Sequence, residues 1–233
     1  MTDYIDRCLD EGLKARDEYY EVIETTENGG TISVSHGDPE VCVHEAGHAV
    51  MGYLQGRRIK HVYAGPFYDP VWGDLAGQVG YEDGDHPYPK TGDEADEAQW
   101  MKESIMSMMA AGFAQCHFDG GNNPARYLSL SDESAIYGNW LLEYCNLIGA
   151  FENPPFDMPD APSEEQEERW WEWTEEVTNE VEANLGAEVK DVLLEHWHLV
   201  EGLAAVLYAD PYLDGPEVYE VFDRIQARHA ASK

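Results

Sequence analysis

The sequence predicts a mainly helical protein with a small β-sheet beside one histidine-bearing helix. Three observations carry that expectation. Apolar residues recur at helical spacing along most of the chain. Only short stretches such as TISVS, RIKHVYAG and LAGQVGYE have strand character. The stretch VCVHEAGHAVMGYLQG, residues 41–56, sets two histidines four apart within a helical apolar pattern.

Taken in order, Tyr4, Ile5, Cys8, Leu9 and Leu13 predict a helix over 3–24. Gly29-Gly30 and Gly37-Asp38-Pro39 are turn signals around the strand-like TISVS. Pro39 suits the first turn of the next helix, where its missing N–H has no intrahelical partner. RIKHVYAG and LAGQVGYE read as strands joined by the loop PFYDPVWGD; Leu75, Gly77, Val79 and Tyr81 alternate along the second. EDGDHPYPKTGDE is a loop. Residues 93–116 read as a long helix ending in SIMSMMAAGFAQC, then a DGGNNP turn leads to the helical LSLSDESAIYGNWLLEYCNLI. FENPPFDMPDAPS, with four prolines, is the most linker-like stretch. Ser163 and Gln166 form a capping-box pattern opening a helix in which Trp173, Val177 and Val181 recur every fourth residue. A further helix is expected over 187–208, and Gly215-Pro216 opens a last amphipathic one. The expected organisation is a single domain over 1–233: a core at 38–150, a Pro-rich loop at 151–162 and C-terminal helices at 163–233.

A chain of 233 residues can bury a real core, and a hydrophobic fraction of 43% supports folding despite a mean hydropathy of −0.52. Against 47 Asp and Glu stand 14 Lys and Arg, a formal net charge of −33. Such a field repels nucleic acid and anionic lipid, so neither is an expected partner. The acids are spread along the chain rather than gathered in a tail, as on a solvated or salt-adapted surface. Cys8, Cys42, Cys116 and Cys145 form no CxxC pair, which argues for small buried residues in a reducing compartment. The N-terminal MTDYIDRCLDEG lacks the apolar core of a signal peptide, and no apolar run reaches the roughly 18 residues of a membrane span. A cytoplasmic location is expected.

On a helix, His44 and His48 stack on one face and can present both imidazoles to one Zn2+. Glu45, one position on, reaches a water beside the metal rather than the metal, and can act as its general base. A catalytic zinc site uses three protein ligands, so a third is needed. The HExxHxxGxxH extension fails, because Met51 and Leu54 hold the Gly and His positions. Asp132, Glu103 and Glu82 are the candidates. Asp132 shares a helix face with Ile136 and Trp140 and should point at the core, where a carboxylate must be paired or bind metal. Yet Ser129 and Asp132 also fit a capping box that needs no metal. Spacing leaves the two readings even.

HEAGHAV resembles the zinc peptidase domain of the FtsH-type AAA+ proteases. RRIKHVYAGPF…LAGQVGYE occupies the place of that family's strand pair, SIMSMMAAGFAQCHFDG is similar to its following helix, and LSDESAIYGN falls where the family carries SNDLxxAT. HLVEGLAAVLYADPYLDGPEVYEVF resembles the closing helices, so the likeness runs in order over about 38–225. It implies a helical zincin-like peptidase domain, mainly α with a small β-sheet beside the HExxH helix. It also implies Zn2+ held by His44, His48 and Asp132, with Glu45 as base. Phe113 and Gln115 depart from the family's GGRxAE signature. The sequence has no GxxxxGK[ST] and no N-terminal membrane anchor, so the expected activity is independent of ATP.

The function expected is hydrolysis of peptide bonds in unfolded or flexible polypeptides, with the strand at 75–82 (Leu75, Gly77, Val79, Tyr81) holding an extended substrate by backbone pairing. Family rings make a homo-oligomer an available assembly. The alternative is an inactive, zinc-stabilised relative acting as an acidic interaction module, to which the three tryptophans of RWWEWTEEV could contribute. His61, His86 and His117 read as exposed or packed histidines, and His196 and His198 have no catalytic role.

Overall fold

A computed structural model of the chain describes residues 2–13, 21–25, 31–35, 38–69, 73–82, 93–152, 154, 156 and 162–233. In chain order the elements are α1 (Thr2–Glu11), β1 (Glu21–Thr25), β2 (Thr31–Ser35), α2 (Pro39–Leu54), β3 (Ile59–Asp69), β4 (Gly73–Tyr81) and α3 (Glu94–Phe118). A 3-10 turn (Pro124–Tyr127) leads to α4 (Leu130–Ala135), a π-helical turn (Ile136–Trp140) and α5 (Leu141–Leu147). Then come α6 (Glu164–Glu195), α7 (Trp197–Ala209), β5 (Tyr212–Asp214) and α8 (Gly215–Ala231). The described chain is mainly helical, with a three-stranded antiparallel sheet in the order β4-β3-β5 and a separate β1-β2 pair.

The fold is built around α2. Asp38 caps it by accepting from the Glu40 N–H at 3.0 Å, and Pro39 opens it. Residues 42–52 are buried on every side, so this is a core helix rather than an amphipathic surface one. Packing against α3, α7 and the β3–β4 sheet supplies that cover. The approach of α3 is unusually close. A Cβ on Gly47 would lie 2.7 Å from the Ala110 carbonyl oxygen and 2.9 Å from Ala111 Cα, so the two backbones meet across a strip of Gly and Ala. Tyr81 of β4 crosses α2 at Gly52 in the same way and donates its hydroxyl to the His48 carbonyl at 3.2 Å. At the far side, Arg224 and Arg228 of α8 pair with Asp6 and Asp10 of α1.

Several boundaries differ from the sequence expectation. The first helix ends at Glu11, not 24; residues 21–25 pair with 31–35 as strands, in keeping with the β-branched Val22, Ile23 and Thr25. The loop expected at 66–74 is shorter, since β3 continues to Asp69 and β4 begins at Gly73. A register shift between Ala64 and Phe67 absorbs Pro66, which has no N–H for the ladder. The C-terminal helices divide at His196 rather than near 187, because Gly186 is packed inside an unbroken α6. β5 was not anticipated; three residues carry no period to read. The turns at 26–30 and 36–37, His86 with the loop at 83–92, and most of the Pro-rich loop lie outside the described residues. All four cysteines are free and buried. Among the described residues no helix is long and apolar enough to cross a membrane.

Gly47→Ala is expected to lower stability by about 1–3 kcal/mol in urea denaturation. The added methyl must push α3 away, and overpacking of that kind outweighs the ~1 kcal/mol that Ala gains over Gly in a helix. Unchanged or raised stability would mean that α2 and α3 do not meet closely at Gly47.

Candidate metal centre

His44 and His48 lie one turn apart on the face of α2 that meets α3 and α4, their rings 5.0 Å apart and nearly perpendicular. The outer nitrogen of each ring is already committed. His48 Nδ1–H donates to the Ser107 carbonyl at 2.8 Å, and His44 Nδ1–H donates to Gln115 Oε1 at 3.3 Å. Both acceptors lie on α3, which runs antiparallel to α2. Because an oxygen of either kind can only accept, each Nδ1 carries a proton, and each Nε2 is turned inward.

Asp132 meets the two inward nitrogens. Its Oδ2 lies 3.2 Å from His44 Nε2 and its Oδ1 lies 3.4 Å from His48 Nε2. The capping box is present as well: Oδ2 accepts from the Ser129 N–H at 3.2 Å and from its hydroxyl at 2.7 Å, while Ser129 Oγ accepts from the Asp132 N–H at 3.2 Å. The capping box that spacing allowed is thus present, and it leaves the carboxylate turned to the histidines. One carboxylate caps α4 and faces both histidines. The other candidates lie elsewhere: Glu103 accepts from Gln99 at 2.6 Å, and Glu82 pairs with the exposed Arg58 at 3.1 Å.

One ligand atom from each of His44, His48 and Asp132 falls within 4.8 Å of the others, and all three residues are buried. This group could hold a metal ion. The donor chemistry fits: two imidazoles oriented by outer hydrogen bonds and one carboxylate. The site is strongly polarised without an ion. Burial opposes charge on Asp132, but the His48 charge and the hydrogen bonds from His44 and His48 hold its carboxyl well below the usual range. Burial likewise opposes charge on His48, yet the Asp132 charge and hydrogen bond, the Glu45 charge and the Ser107 carbonyl raise it to about 9.

Glu45 is 5% exposed and lies outside the donor group. Its pKa is raised: burial and the Asp132 charge push it up, against the pull of His48 and His44. A Cβ on Gly77 would lie 2.6 Å from Glu45 Cγ and Cδ, so β4 passes directly over this carboxylate. β4 is an edge of its sheet, paired only with β3 among the described residues. Gly77 stands opposite Ala64, Val79 opposite Val62, and Leu75 opposite Phe67. Tyr81 stands opposite Ile59, with its ring buried against α2 beneath the Arg57 guanidinium, 3.5 Å away. Its side chain therefore serves the core.

The sequence reading missed Ser107 as an acceptor and met Gln115 only as a departure from a family signature. Their spacing of eight on one helix, opposite a His pair spaced four, is a signal only once α3 is known to lie antiparallel to α2. His61 stacks near Tyr212, His117 meets Trp197 edge-on, and His198 stacks on His229; none joins the cluster. No protein-family model matches the chain, and no curated protein matches it.

Two substitutions separate the two duties of Asp132. Ser129→Ala is expected to cost about 1 kcal/mol of stability through the lost cap while metal uptake persists. Asp132→Ala should lower stability and metal affinity together, as read by denaturation and by elemental analysis. Metal loading at pH 7 should also release about one proton, because His48 is protonated below about 9 in the metal-free site and must be neutral to ligate. Apparent affinity then rises with pH towards 9, and calorimetry in buffers of different ionisation enthalpy reads the proton.

Proposed function

We propose that the protein is a zinc-dependent metallopeptidase that acts without ATP on unfolded or flexible polypeptides. The observation that carries this reading is the juxtaposition of His44, His48 and Asp132 with Glu45 buried beside them under an edge strand. His44, His48 and Asp132 would be the ligands, a donor set of the kind used by catalytic zinc. Zinc in such a set acidifies water to near pH 7 and polarises a carbonyl. Glu45, held dry and raised in pKa, takes a proton from the water that attacks the scissile carbonyl carbon. As the C–N bond breaks, Glu45 hands that proton to the leaving amine. The edge of β4, unpaired among the described residues, would offer backbone groups to an extended chain alongside Glu45. The motif likeness to FtsH-type peptidases supports the same reading.

A second reading, a zinc-stabilised interaction module without turnover, draws support from the dual duty of Asp132 and from Trp171 on α6, which is 66% exposed. Its two neighbours differ: Trp170 and Trp173 pack together at 5.2 Å, and Trp173 also meets Phe151 and Phe156. The two readings part on catalysis.

Zinc-loaded protein should cleave an unfolded protein such as reduced, alkylated casein, and Glu45→Gln should keep its zinc yet lose at least about a hundredfold in kcat. Activity retained in that variant contradicts the mechanism. Gly77→Ala should also bind zinc normally but turn over more slowly, since its methyl displaces the Glu45 side chain or lifts β4. Metal-dependent stabilisation with no cleavage by the wild type would favour the interaction module.

A further inference from the structure

The face of α3 turned away from the histidines borders a groove against α6. Two cavities, of about 420 and 210 Å³, share Phe113, Pro124 and Lys190 and so adjoin along one cleft. Its α6 wall is a single helix face, with Asn179, Glu182, Gly186, Lys190 and Leu193 at helical spacing over about 21 Å, and Trp197 at the start of α7 closes its end. Met109, Phe113 and Leu128 make the opposite wall of the larger cavity apolar. That wall is fixed, because Leu128 and the Pro124 carbonyl sit so close to Gly112 that a Cβ there would lie within 2.9 Å of both. Size, apolar walls and few polar groups are those of a preformed small-molecule site.

Charge gives the cleft a direction. Lys190 stands where the two cavities join, and among the described residues it has neither an ion pair nor a hydrogen bond. A carboxylate reaching Lys190 would therefore displace no intramolecular partner among the described residues. The one acid in the cleft, Glu182, lies two turns away and accepts the Tyr137 hydroxyl at 2.6 Å, so negative charge is disfavoured at that end.

We propose that this cleft binds a small linear amphiphile with a carboxylate head, the head on Lys190 and the apolar body in the larger cavity between Phe113, Leu128 and Gly186. The site is separate from the metal centre, across α3, and its occupancy is read without metal or turnover. Phe113 lines it two residues before Gln115, so the same helix carries the ligand wall and the hydrogen bond to His44.

The test is titration of the full-length protein with sodium decanoate by calorimetry, at about 0.15 M salt, where charges beyond about 8 Å of Lys190 are screened. Saturable binding of one decanoate per chain is expected. Lys190→Met, at an exposed position, should weaken decanoate about tenfold or more and leave decanol unaffected. Gly186→Leu should abolish binding of both: its Cβ would sit in ordinary contact with Phe113 at 3.5 Å, and the rest of the side chain fills the cavity. No decanoate binding, or binding unchanged in Lys190→Met, overturns the proposal; so does decyltrimethylammonium binding as tightly as decanoate. Lys190→Met decides the matter even if Gly186→Leu does not fold.

Discussion

A carboxylate shared between two buried imidazoles is the constraint around which this structure is arranged. Asp132, His44 and His48 are nearly excluded from water, and burying such groups costs several kcal/mol each unless partners replace their hydration. The partners are all present. Ser129 donates twice to Asp132, Ser107 and Gln115 hold the outer histidine nitrogens, and the acid and the two bases face one another. None of this is reachable unless α3 lies almost on the backbone of α2. Gly47 and the alanines opposite it therefore set the site as much as the ligating side chains do.

The α3 helix works on two faces. One carries the acceptors for the histidines, and the other lines the cleft against α6. Lys102 of α3 also pairs with Glu188 of α6 at 2.8 Å. Three of the cations join elements: Arg224 and Arg228 tie α8 to α1, and Lys102 ties α3 to α6. The remaining acidic excess has no such partner to organise it, and keeps the surface hydrated.

Much of this was legible in the sequence, for reasons that can be named. The α2 helix announced itself through Asp38-Pro39 and through a histidine pair whose i, i+4 spacing is meaningful only on a helix. The capping boxes at Ser129 and Ser163 were readable because they are local, four-residue patterns. What could not be read is what depends on distance in sequence. Spacing left Asp132, Glu103 and Glu82 open as partners for the histidines, and only the packing of α4 on α3 brings Asp132 to them. The roles of Ser107 and Gln115 follow from the antiparallel crossing of two helices. Gly77 looked like one more residue of an alternating strand, yet its missing side chain is what lets β4 lie on Glu45. The strand at 21–25 was hidden by the helical pattern that precedes it.

The central claim is that His44, His48 and Asp132 bind one ion through their inward atoms. X-ray absorption at the zinc edge of the loaded protein measures that shell directly. The account expects two imidazole nitrogens with a carboxylate oxygen at about 2.0–2.1 Å. It also expects His44→Ala to remove one imidazole from that shell. A shell of oxygens alone, or one that the substitution leaves unchanged, would show that the ion binds elsewhere and that the buried triad is only a hydrogen-bonded cap.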